Sequence, residues 1–238
     1  MPTNKPLAGV LPIVHTPFTD NDVIDEACLR RQLDWAFDIG ADGCGTGMVS
    51  EILRLTTHER TRLAHLIPEI VAGRGPVFAS VGAESTAQAI IYAREAESAG
   101  NDALMAIPPT LTGLPKQAQL DYFSALAEAT ALPLIIQDAS AYVGQAIPLE
   151  VLVKLLEKFG PDKILFKPEA APLGPNLSAL RDATNGQAKI FEGSGGILLI
   201  DSFRRGITGT IPGMDLLDSI IEVWHALQAD NHERAYEV

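Results

Sequence analysis

Apolar residues in this chain come in short unbroken runs, each followed by a loop and a longer segment with helical spacing that often stops at glycine. The runs begin near Gly9 (GVLPIVHT), Ala41, Pro76 (PVFASVG), Asp102 (DALMAIPP), Leu132 (LPLIIQD), Lys163 (KILFKPE), Ala188 (AKIFEG) and Ile207 (ITGTIPG). They do not alternate apolar with polar, which is the pattern of parallel strands covered on both faces. Between them, Leu29, Leu33, Ala36 and Phe37 share one helical face that ends at Gly40. Thr56 and Glu59 have the spacing of a capping box. Pro148 and Pro175 stand where first helical turns begin, a place that tolerates a missing N–H. Alanine-rich segments 86–99 and 117–131, and a segment near 215–228, supply further helices. Eight strand–helix units in 238 residues predict an α/β fold of the (β/α)8 TIM-barrel type in one domain, not an open doubly wound sheet. The phosphate-binding glycine pattern of the doubly wound fold is missing after the first run, and GCGTG (43–47) follows the wrong run with the wrong spacing.

Composition narrows the function classes. Hydrophobic residues make up 47% and charged residues 20% of the chain, ordinary for a soluble globular protein. No apolar stretch approaches the roughly 20 residues of a membrane helix. The N-terminal MPTNKPLAGV lacks a basic segment followed by an apolar one, so no secretion signal is read and a cytoplasmic location with no membrane partner is expected. The net charge is −12, and basic residues cluster no further than the pairs Arg30–Arg31 and Arg204–Arg205. Such a surface repels phosphate backbones and argues against a nucleic-acid partner. An anionic substrate must therefore be held by local donors. Cys28 and Cys44 are too few for a disulfide framework and lack zinc-like spacing, so no metal and no cofactor is expected. Cys44, in a glycine-rich turn, is a candidate reactive thiol, although an unreactive cysteine is the stronger reading.

In a barrel the chemistry lies where the strands end. Lys167 closes the run Ile164-Leu165-Phe166 and precedes Pro168. An amine at the mouth of an apolar barrel loses hydration, and loss of hydration disfavours the charged form of an amine. The neutral form is the one that attacks a ketone to give an imine. The alternative is a lysine snorkelling at a strand edge. Glu169, at the start of the same loop, is placed to move protons beside such an imine or is an ordinary loop acid. Gln137 and Asp138 close the fifth run, either as a turn or as a pair facing substrate. GSGG (193–196) precedes a helix and either cradles an anion on backbone N–H groups or simply joins strand to helix.

Beyond these local readings, the chain resembles the dihydrodipicolinate synthase/N-acetylneuraminate lyase superfamily of Schiff-base lyases. The likeness is carried in order by GVLPIVHTPF (9–18), IGADG (39–43), the Ser50-Glu51 to Glu59-Arg60 stretch, GRGPV (73–77), the LP…G stretch (132–144) and GITGTIPG (206–213). It implies Lys167 as the imine-forming residue. The synthase pattern is broken at three places: GMVSE (47–51) replaces Gly-Thr-Thr-Gly-Glu, Gln137-Asp138 replaces Tyr-Asn, and Pro109-Thr110 replaces Tyr-Tyr. Tyr142 also stands where an arginine is expected. The motifs are most similar to the 2-keto-3-deoxy-L-arabinonate dehydratase group of that superfamily. By that resemblance Lys167, Glu169 and Gln137 are catalytic, backbone N–H groups of Met48, Val49 and Ser50 hold the substrate carboxylate, and Asp138, Gly193 and Ser194 complete the binding site. The substrate implied is a small 2-keto acid, and the assembly implied is a homo-oligomer, tetramer or dimer. The barrel is expected over 1–228, with 229–238 the start of a C-terminal helical extension that relatives carry and this chain largely lacks.

Overall fold

The computed structural model describes residues 6–238. Residues 1–5, part of the stretch read above for a secretion signal, lie outside the described residues. Eight strands alternate with helices: β1 (Gly9–Val10), α1 (Glu26–Asp38), β2 (Cys44–Gly45), α2 (Thr57–Val71), β3 (Val77–Ser80), α3 (Thr86–Ser98), β4 (Ala103–Ala106) and α4 (Lys116–Ala129). The second half continues with β5 (Leu134–Asp138), α5 (Leu149–Phe159), β6 (Ile164–Pro168), α6 (Leu173–Ala183), β7 (Phe191–Glu192), α7 (Leu199–Arg204), β8 (Gly209–Thr210), α8 (Leu217–Gln228) and α9 (His232–Glu237). The pairing is parallel throughout, in the orders β1-β8-β7 and β2-β3-β4-β5-β6. Single parallel bridges, Ile13 to Gly45 and Phe166 to Ile190, join these two sheets and close the barrel.

The strands are short but buried along their whole length, as their unbroken apolar runs require. Alternate residues separate into two layers. Leu11, Ile13, Phe78, Met105, Ile135, Leu165, Phe191 and Ile211 fill the barrel interior. Their neighbours Val10, Val14, Leu104, Leu134, Ile136, Ile164 and Phe166 pack outward against the helices. Glycine lets the smallest strands meet: a Cβ on Gly209 would lie 2.7 Å from the Gly9 nitrogen and nearer still to its oxygen. The helices begin where chemistry favours it. Asp25 accepts the Cys28 N–H at 2.8 Å ahead of α1, and Thr56 and Glu59 form the expected reciprocal cap ahead of α2. Pro148 caps α5, whereas Pro175 is the third residue of α6, which begins two residues earlier than its proline suggests. Among the described residues no helix is long and apolar enough to cross a membrane.

Candidate active site

Strand register and the two-residue period of a strand decide what faces the barrel mouth. In the β5–β6 ladder Ile135 pairs with Leu165 and Gln137 with Lys167. Since Ile135 and Leu165 belong to the interior layer, Gln137 and Lys167 follow them into it one step nearer the strand ends. There they meet Glu169. The Lys167 Nζ lies 3.1 Å from Glu169 Oε1, and Gln137 Nε2 donates to Glu169 Oε2 at 2.5 Å. Lys167 is 4% exposed, Gln137 2% and Glu169 9%. The amine is therefore buried as the sequence suggests, but it is not isolated. A carboxylate stands beside it, and an amide fixes that carboxylate from the far side.

This triad borders an open cavity of about 800 Å³ at the C-terminal ends of the strands. Met48 and Val49 line it from a 3-10 turn (Met48–Ser50), and their N–H groups, the first two of that turn, have no protein partner among the described residues. Gly193 and Ser194 line the opposite wall. Gly193 is there of necessity: a Cβ would come within 2.9 Å of Glu169 Cδ and closer to Cγ, so the carboxylate packs directly on the glycine backbone.

Three expected contacts take other roles. Ser50 leaves the binding set because its N–H is spent on the Gly47 carbonyl at 2.9 Å, while its hydroxyl accepts the Gly47 N–H and donates to the Val14 carbonyl. It ties the turn to the end of the first run. Asp138 follows the inward Gln137 and so faces away from the barrel interior. Its two oxygens accept the N–H groups of Ser140 and Ile147, at 3.0 and 2.9 Å, which braces the loop 139–147. Within 193–196 the Ser194 donor is taken by the protein: the Ser194 N–H donates to Glu192, and the Ser194 hydroxyl accepts the Leu198 N–H at 2.8 Å. The Glu192 carboxylate behind the turn sets negative charge against an anion there. Cys44 is buried, and burial pushes its thiol up to about 12, so it is not a nucleophile.

Two residues take roles that sequence reasoning did not assign. Glu192 is fully buried and accepts the Thr210 hydroxyl at 2.7 Å, locking β7 to β8 beneath the Gly193-Ser194 turn. An acid inside an apolar run was the available signal. Tyr142, seen only as a lost arginine, lines the cavity from the loop after β5. Burial first, then the charges of Glu169 and Glu192, hold its phenol above the usual tyrosine range, so it stays a neutral hydroxyl.

A lysine–carboxylate pair at the end of β6, with a lined cavity above it, can be compared with known proteins on more than overall shape. Residues 6–211 match the Dihydrodipicolinate synthetase family. The chain belongs to that family. Within it, 235 residues are 29% identical to an L-2-keto-3-deoxyarabonate dehydratase of Azospirillum brasilense, covering 96% of this chain and 75% of that one. A 4-hydroxy-tetrahydrodipicolinate synthase of Methanothermobacter thermautotrophicus is 30% identical over 74% of this chain and 61% of its own length. Among solved structures, the 4-hydroxy-tetrahydrodipicolinate synthase of Methylacidiphilum fumariolicum SolV superimposes with a TM-score of 0.90 at 25% identity, covering 97% of this chain and 77% of that one. These alignments leave part of each relative's length without a counterpart here.

Proposed function

We propose that the protein is a Schiff-base lyase that dehydrates a 2-keto-3-deoxy sugar acid. The observation that carries this is the buried chain Lys167–Glu169–Gln137 facing an open cavity. A buried ion pair is a poor source of stability, because desolvation of two charges offsets their attraction. Its presence at a cavity mouth therefore favours chemistry. In the reading offered, the Met48 and Val49 N–H groups hold the substrate carboxylate, and Lys167 Nζ passes its proton to Glu169 and attacks the C2 ketone. Glu169 returns that proton to the carbinolamine hydroxyl, which leaves as water, so that a protonated imine forms, C3–H is acidified and Glu169 is again a carboxylate. Glu169 takes the C3 proton, held in place by Gln137. The resulting enamine expels the C4 hydroxyl, which leaves as water with the proton returned from Glu169. Water then hydrolyses the unsaturated imine and frees Lys167. The dehydratase named above supports this choice, as does the replacement of the synthase threonines by Met48 and Val49.

The test is reduction with borohydride in the presence of 2-keto-3-deoxy sugar acids, followed by peptide mass spectrometry and product analysis. The expected result is an adduct on Lys167, a product lighter by one water, and no pyruvate. Pyruvate with an aldehyde as products would replace dehydration with aldol cleavage on the same imine. Lack of any adduct would remove the imine itself.

A further inference from the structure

A second cavity of about 460 Å³ adjoins the first, and the two share Tyr142, Glu169, Gly193 and Ser194 as a common wall. The imine reading sets the substrate carboxylate at Met48 and Val49, across the first cavity from Gly193 and Ser194. On that reading the atoms beyond C3 point at the common wall and the annex behind it. The annex offers donors and acceptors together. The N–H groups of Leu173, Gly174 and Gly193 line it and have no protein partner among the described residues. The Ser194 hydroxyl accepts the Leu198 N–H and keeps its own proton to give. The Tyr142 hydroxyl makes no hydrogen bond to the protein among the described residues, and it stays a neutral phenol. Glu169 and Asp201 are the acceptors, already paired with Lys167 and Arg205. No lysine or arginine lines the annex among the described residues. Arg54 borders the first cavity, from the segment that carries Met48 and Val49.

A hydroxyl both donates and accepts, so it can meet both kinds of group. A second carboxylate or a phosphate would set its charge against Glu169, Asp201 and the buried Glu192, with no unpaired cation in the annex to balance it. Bare carbon would leave the free N–H groups without partners once water is expelled. We propose that Tyr142 is a specificity-determining residue for the far end of the substrate, its phenol hydrogen-bonding a hydroxyl beyond C3, and that this end is uncharged. This assignment, which rests on the imine reading, narrows the substrate to a 2-keto-3-deoxy acid with one carboxylate and a hydroxylated tail, not a diacid or a phosphorylated sugar.

The test uses the full chain and initial borohydride labelling of Lys167, titrated with pyruvate and with five- and six-carbon 2-keto-3-deoxy aldonic acids. Counterparts ending in a second carboxylate or a phosphate complete the series. In the wild-type chain the hydroxylated acids are expected to half-saturate about tenfold below pyruvate, and the charged counterparts to need more than the hydroxylated ones. Tyr142→Phe, at a residue 63% exposed, keeps the ring and removes the hydroxyl. It is expected to raise the half-saturating concentration of the hydroxylated acids about three- to tenfold. That of pyruvate, which has no atoms beyond C3, is expected to stay the same. Pyruvate labelling with an equal shift for every acid in the variant, or with no shift, overturns the assignment and leaves the imine standing. Tighter wild-type binding of a diacid or a phosphate ester does the same. No labelling by any acid removes the imine reading, and this assignment with it.

Discussion

Glu169 reaches its place only because Gly193 has no side chain, so the position of a proposed proton carrier depends on a residue with no functional group of its own. In Gly193→Ala the new methyl and the carboxylate cannot share the space, and Glu169 must leave either Lys167 or Gln137. A displacement of about 1 Å in a catalytic group costs on the order of a hundredfold in rate. The expected outcome is a kcat loss of about that size, while trapping of pyruvate on Lys167 is slowed but not abolished, because the amine stays in place and only its proton acceptor moves. Steady-state kinetics alongside borohydride labelling would show it; a variant with full activity would mean that Glu169 carries no proton. The same crowding separates two views of Gly193. As a donor to substrate its N–H would survive the alanine change, and KM would carry little of the effect.

At the level of elements, Asp138 ties the end of β5 to the loop that carries Tyr142. Asp138→Ala strips the Ser140 and Ile147 N–H groups of their acceptor, which should cost about 1–3 kcal/mol. Asp138→Asn is expected to rescue little, since its amide turns a donor toward one of those N–H groups. Urea denaturation distinguishes this brace from a substrate contact, which would raise KM and leave stability alone. The contrast between Gln137 and Asp138 also shows what was legible. All eight strand runs could be read because strands buried on both faces leave continuous apolar segments, and the reciprocal Thr56–Glu59 cap could be read from spacing alone. Lys167, Glu169 and Gln137 could be grouped because each lies at the C-terminal end of a strand or just past it. That adjacent residues of β5 must face opposite ways was equally available from the period of a strand and would have removed Asp138. Tyr142 and the Ser194 turn were not legible, because loop paths depend on hydrogen bonds such as Asp138 to Ile147 that span nine residues without any pattern.

For the whole molecule, a net charge of −12 sets the approach of an anionic keto acid against the field of the protein. The cavity does little to reverse that field. Arg54 lines it, but so do Glu51 and Asp215, and the Lys167 charge is matched by Glu169. At about 10 mM salt the Debye length is roughly 30 Å, and the acid feels the summed repulsion; near 150 mM it is roughly 8 Å, and only local groups remain. Raising salt across this range is expected to increase kcat/KM for a monoanionic keto acid by a factor of about two, the reverse of an enzyme that steers its substrate. The turnover number should hold steady, because the Lys167–Glu169 pair is buried and poorly reached by counterions. A kcat/KM that falls with salt would show instead that Arg54 governs entry, and that local positive charge at the mouth outweighs the acidic surface around it.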